Sequence, residues 1–146
     1  MRYPAYVVEE KRVEVGAFPD CPGCQTQAGR GEELGKNLVE ALTGWLEAEL
    51  QAGRVPPRPR AATRAPKGGR VQWVQLPAML GTRLALIWAR TDAGLSQAEL
   101  ARRAGVSQQA IAKLEHPDSN PTVETLQKVA DALHAELVIR LQARTA

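Results

Sequence analysis

Hydrophobic positions change their period several times along the chain. Residues 3–8 (YPAYVV) and 13–18 (VEVGAF) are short runs rich in Val and aromatic residues, which predicts two strands joined by a charged hairpin turn, EEKR. A third strand is expected over 24–28, after the turn at Pro19, Pro22 and Gly23. From Glu32 to Gln51 the period becomes helical: Leu34, Leu38, Ala41, Leu42 and Trp45 share a face, which Val39, Leu46 and Leu50 widen, and Gly53 closes the helix. RVPPRPRAATRAPKGGR excludes regular structure, and VQWVQL (71–76) alternates as a strand. The first module therefore reads β-β-β-α-β. Pro77 opens a new helix, residues 79–133 read as several short helices, and HAELVIRLQA reads as a final strand. Within that strand, 136–141 (ELVIRL) has an apolar alternate face suited to pairing within the chain or with a second copy.

The stretch LSQAELARRAGVSQQAIAKLE, residues 95–115, carries the most information. Ser96 and Glu99 have capping-box spacing, which satisfies free backbone donors at a helix start. Leu100, Ala101 and Ala104 form a buried stripe, with Ala101 small enough for two helices to cross closely. Gly105 stands where the inter-helix turn needs positive φ. Ser107 caps the next helix, whose buried side is Ile111 and Leu114. These are the ingredients of a helix-turn-helix. Arg102 and Arg103 are expected to face solvent.

Charge is unevenly spread. Residues 1–52 hold five basic and nine acidic residues, 53–78 hold six basic and none acidic, and 79–146 hold eight basic and seven acidic. An acidic front suits a basic partner, and a basic stretch suits an anionic one, although such runs also serve as solvated faces. No apolar run reaches the roughly 18 residues that a membrane span needs, and MRYPAYVVEEKR lacks the apolar core of a secretory signal. With two cysteines, this points to a reducing cytoplasm.

Residues 79–133 resemble the phage-repressor (Cro/XRE) type of DNA-binding domain, a five-helix unit. The resemblance implies an internal salt bridge between Arg90 and Glu115. It places the helix beginning at Gln108 in the major groove, led by Ser107, Gln108, Gln109 and Ala110 with Lys113 one turn on. Gln can bond adenine N6 and N7 together. Gln97 resembles the family's phosphate-contacting Gln, and its backbone N–H at a helix start also suits a phosphate.

The first module is similar to the HicB-type antitoxin domain. The similarity rests on Phe18, Pro19, Asp20, Pro22, Gly23, Cys24, Thr26 and Gln27 in the turn. On the helix it rests on Glu32, Glu33, Asn37, Glu40, Ala41, Leu42 and Trp45. It covers residues 1–60, and the strand at 71–76 fits the family's last strand. The first hairpin lacks the usual glycine. The resemblance implies an α+β chain: a partial RNase H-like domain over 1–78, with a basic Pro/Gly-rich loop at 53–70, and an all-α helix-turn-helix domain over 79–146 ending in a strand. It implies an antitoxin that binds and inhibits a HicA-type RNase toxin and represses its own operon on operator double-stranded DNA, as a homodimer or homotetramer. The competing reading is a plain transcriptional regulator whose first module senses a ligand or serves dimerisation.

Enzyme and metal chemistry find little support in the residues. Cys21 and Cys24 flank a Pro-Gly turn, no second Cys pair completes a zinc site, and His116 and His134 lie in the other module. The pair sits between strands rather than at the helix N-terminus of a thioredoxin-like motif, so both sulfurs are expected to be structural. Metal-dependent nuclease work needs converging carboxylates. Of Glu9, Glu10, Glu14 and Asp20, the first two fall in the expected turn and Glu14 alternates with Val13 and Val15. No catalytic residue, metal or cofactor is assigned.

Overall fold

A computed structural model describes residues 1–60 and 64–143. The chain divides into two compact units, the first Met1–Thr82 and the second beginning at Arg83. The first unit contains β1 (Arg2–Glu10), β2 (Val13–Ala17), β3 (Gln25–Ala28), α1 (Leu34–Gln51) and β4 (Arg70–Gln75). The boundary falls within α2 (Ala78–Asp92), which is followed by α3 (Gln97–Ala104), α4 (Gln108–Leu114) and α5 (Val123–Ala132).

The four strands form one antiparallel sheet in the order β3-β2-β1-β4. Tyr3, Ala5 and Val7 of β1 and Val74 of β4 turn into the core, where α1 packs with Leu34, Leu38, Leu42 and Leu46, one residue per turn. Pro4 sits within the central strand opposite Trp73. It is tolerated there because β2 begins pairing with β1 only at Tyr6, so the missing N–H deprives no neighbour. The first hairpin is tighter than EEKR suggested. Glu10 pairs with Val13, so Glu9 and Glu10 belong to the strand and only Lys11 and Arg12 turn the chain. Both take positive φ, 51° and 69°, as a two-residue loop matched to strand twist requires.

The Pro- and Gly-rich segment after α1 is anchored at several points. Pro56 is buried, the Tyr3 hydroxyl donates to the Pro57 carbonyl at 2.6 Å, and Asp20 receives the Arg60 backbone N–H at 3.0 Å. Past the undescribed residues, Gly69 lies against Val7 and Val8, where a Cβ would come within 2.7 Å of the Val7 carbonyl oxygen. The segment is a strap from one end of β1 to the other. It returns the chain so that β4 runs antiparallel to β1.

The second unit has its own core of Leu95, Leu100, Ala101, Ile111, Leu114 and Val129, with Leu86, Val106, Ala132 and Leu133 at its margin. Two expectations are corrected here. Residues 79–133 hold four helices rather than five, because HPDSNP, residues 116–121, cannot propagate one. Residues 135–143 form no strand: the second unit offers no sheet edge, and alternation alone cannot satisfy a strand's backbone groups. Val138, Ile139 and Leu141 are accordingly exposed, Leu141 almost fully.

Candidate DNA-recognition site

The site is built on the turn between α3 and α4. Ser96 Oγ accepts from the Glu99 N–H and the Glu99 carboxylate from the Ser96 N–H, both at 3.1 Å, so the capping box fixes the start of α3. Gly105 ends that helix at φ 66°, in the left-handed region where a Cβ is penalised. The Val106 N–H then reaches back to the Ala101 carbonyl at 3.0 Å, and Val106 joins the core margin. Ser107 Oγ accepts from the Ala110 N–H at 3.1 Å, so this hydroxyl is occupied in holding the start of α4.

On α4, Ile111 and Leu114 are buried, and Gln108, Gln109, Ala112 and Lys113 are exposed on one continuous face. Gln108 lies one turn from Ala112, and Gln109 one turn from Lys113. Sequence reasoning did not single out Ala112. Its small side chain leaves room beside Gln108, a feature visible only once the helix phase is fixed.

Glu115, immediately after α4, gathers three elements. Its carboxylate accepts from Arg90 Nε at 2.6 Å and Nη2 at 2.8 Å, a bidentate pair, and from Gln97 Nε2 at 2.9 Å. Arg90 Nη1 also donates to the Leu95 carbonyl at 2.9 Å. The pair is mostly withdrawn from solvent, and the Glu115 hydrogen bonds hold the Arg90 pKa above its ordinary value against the opposing effect of burial. Gln97, expected to contact phosphate, thus has its side-chain amide tied to Glu115. Arg83 was missed in the sequence. It is buried, and its Nε donates to the Glu115 backbone carbonyl at 3.3 Å. Nothing in the apolar pattern distinguished it from a surface arginine.

In the first unit at least three of the nine carboxylates of residues 1–52 meet arginines of the segment that follows. Arg54 pairs with Glu49, Arg60 with Asp20, and Arg70 with Glu14, at 2.7, 2.8 and 2.7 Å. The unit as a whole holds eleven basic and nine acidic residues. The four carboxylates weighed for nuclease chemistry do not converge: Asp20 and Glu14 are paired with strap arginines, and Glu9 and Glu10 are exposed at the hairpin end. Among the described residues, no group of three or more His, Cys, Asp or Glu is placed to hold a metal.

Cys21 and Cys24 are both free and buried. The Cys24 N–H closes the Pro22-Gly23 turn on the Cys21 carbonyl at 2.9 Å, and the Cys24 thiol donates to the Ala41 carbonyl of α1 at 3.5 Å. Burial pushes the Cys21 thiol up to about 12, with Cys24, Asp20 and Glu49 adding to the effect, and burial pushes Cys24 to about 11. Trp45 Nε1 donates to the Pro22 carbonyl at 3.2 Å, so the turn is keyed into α1 at both sides. No helix among the described residues is long and apolar enough to cross a membrane.

Residues 86–138 match the helix-turn-helix family model. Over 97% of the chain and 88% of the relative, the sequence is 29% identical to "Antitoxin HicB 1" of Photorhabdus laumondii. Over 34% of the chain and 68% of the relative, it is 48% identical to the HTH-type transcriptional regulator y4dJ of Sinorhizobium fredii. A solved HicA3–HicB3 toxin–antitoxin complex contains a chain 24% identical, covering 53% of this chain and 99% of that one, with a TM-score of 0.42. In its second unit the chain belongs to the helix-turn-helix family, and over nearly its whole length it is similar to a HicB antitoxin.

Proposed function

We propose that this chain is the antitoxin of a toxin–antitoxin pair, neutralising a HicA-type RNase through its first unit and repressing its own operon through its second. The observation that carries this reading is the near full-length likeness to an antitoxin, joined to a helix-turn-helix whose α4 presents Gln108, Gln109 and Lys113 to solvent. In the operator complex Gln108 and Gln109 read base edges and Lys113 neutralises a phosphate. Ser107 and Gln97 act without side-chain contact to DNA: the Ser107 hydroxyl fixes the start of α4, and the Gln97 backbone N–H at the start of α3 meets a phosphate. The Arg90–Glu115 pair keeps α2, α3 and α4 in register.

The chain acts in the cytoplasm as a non-enzymatic inhibitor, without metal or cofactor. Pairing of Asp20 and Glu14 with arginines supports the non-enzymatic part of this reading. The division into a toxin-binding domain, 1–78, and a DNA-binding domain, 79–146, is supported by separate cores. The likeness of the first sheet to a truncated RNase H sheet rests on strand order and on the helix over one face. A homodimer, or a homotetramer built from it, forms where 136–141 of two copies pair, giving Ile139 and Leu141 the partners they lack in one chain and setting two copies of α4 about one helical turn apart on DNA.

A plain helix-turn-helix regulator is the second reading, favoured by the 48% identity over 52 residues to an HTH-type transcriptional regulator. Co-purification with the product of the adjacent reading frame separates the two. A small, basic, His-containing protein that travels with the chain supports the antitoxin, whereas operator binding with no such partner supports the plain regulator.

A further inference from the structure

Trp73 is 41% exposed on the side of β4 opposite the core-facing Val74. The Arg2 guanidinium lies over its ring, 5.9 Å from the centroid. Arg60 lines the same open groove of about 340 Å³, together with Arg2, Pro59 and Trp73. Arg60 is unusually well placed for a surface arginine. Asp20, its side chain only 2% exposed, receives the Arg60 backbone N–H on Oδ2 and lies 2.8 Å from Nε through Oδ1. This ion pair draws the guanidinium towards Asp20, while the side chain as a whole remains 69% exposed. Arg64 and Lys67 continue the positive charge along the strap, and no acidic residue lies between 53 and 78.

An exposed aromatic plane in a groove lined by two arginines is the chemistry that takes a nucleobase and its flanking phosphates. Arg2 is an exposed, flexible side chain and can swing aside to sandwich a ring against Trp73. A peptide ligand would want side-chain pockets, and this groove is shallow and open. A duplex hides its base faces in the stack and so could not use Trp73. We infer that the groove between Arg2, Trp73, Pro59 and Arg60 binds single-stranded nucleic acid, one base stacked on Trp73 with its phosphates on Arg2 and Arg60. This site is separate from α4 and does not depend on the antitoxin reading.

The test uses the full chain and 5′-labelled ten-nucleotide oligo(rU) and oligo(dT), followed by anisotropy at low and moderate salt. Wild type is expected to bind both, more weakly as salt rises. Trp73→Ala should lower affinity roughly five- to a hundredfold, the effect of losing one stacked base. Trp73→Phe should retain most of the affinity, and Arg2→Ala should weaken binding and flatten its salt dependence. Affinity for a duplex operator should not change in any of the three. Equal affinity for the two oligonucleotides assigns recognition to base and phosphate, and a preference for oligo(rU) adds the 2′-hydroxyl. Absence of binding at low salt overturns the inference, as does undiminished binding by Trp73→Ala. Loss of a protein partner on Trp73→Ala, with oligonucleotide affinity intact, likewise overturns it and makes the groove a protein-docking surface. If Trp73→Ala melts early, Trp73→Phe and Arg2→Ala decide: equal weakening in both refutes stacking.

Discussion

Replacing Glu115 with Ala removes the acceptor for three hydrogen bonds at once, two from Arg90 and one from Gln97. The guanidinium that remains is largely shielded from water, with its side chain 15% exposed and one further bond, to the Leu95 carbonyl. Breaking a buried ion pair on one side costs about 3–5 kcal/mol, because an uncompensated charge stays behind. The residual exposure of Arg90 argues for the lower end, about 3 kcal/mol. For a unit of this size, 1 kcal/mol moves the melting temperature by about 4–8 °C, so a fall of at least about 12 °C is expected in thermal unfolding followed by circular dichroism. Glu115→Gln keeps an acceptor and loses the charge, and should cost about half as much. The double variant Arg90→Met, Glu115→Met should be more stable than Glu115→Ala, because it leaves no stranded charge. Operator affinity of Glu115→Ala should also fall below the unfolding temperature, since α3 and α4 lose their shared tether. A Glu115→Ala protein within 1 kcal/mol of wild type would refute the role given to this carboxylate.

Gln108→Ala should cost about 1–3 kcal/mol on the cognate operator and relax preference at one base pair, whereas Gln97→Ala, which keeps the backbone N–H and loses only the side-chain bond to Glu115, should leave base preference unchanged and weaken all sequences alike through the loosened tether; titrations at fixed salt distinguish the two. Cys21 and Cys24, with pKa values raised to about 12 and 11 by burial, should stay protonated and resist alkylation at pH 8 in the native protein, and both should react once it is unfolded in urea. Cys21→Ser, Cys24→Ser should keep operator binding and lose some thermal stability, since two buried hydroxyls replace thiols. Lys11→Asn, Arg12→Gly should raise the urea midpoint by an amount worth about 1 kcal/mol, because both positions take positive φ, which the native residues accept only under strain.

Strands β1 to β4 and helix α1 were legible because each buries one face, and the period of burial is written in the residue order. The helix-turn-helix was more legible still, since Ser96, Glu99, Gly105 and Ser107 each answer a local backbone need that no tertiary contact has to supply. Long-range pairing left no such mark. Asp20 and Arg60 are forty residues apart in sequence, and nothing in RVPPRPRAATRAPKGGR reveals that the segment straps the sheet or that its arginines neutralise the unit's own acids. The same blindness placed a strand near the C-terminus that does not form within one chain: alternation in ELVIRL describes a face, but a strand also needs an edge to pair with. At the recognition site the exposed face of α4 could be read from Ile111 and Leu114. The Gln97–Glu115 bond could not, because it depends on how α3 crosses the end of α4.

Growth of cells expressing the product of the reading frame beside this gene, with and without the chain, tests the antitoxin reading most directly. Expression of the neighbour alone should arrest growth, and co-expression of the chain should restore it, including when Gln108 and Lys113 are both replaced by Ala so that operator binding is lost. Arrest that the chain does not relieve, or a neighbour whose expression leaves growth unchanged, would contradict it.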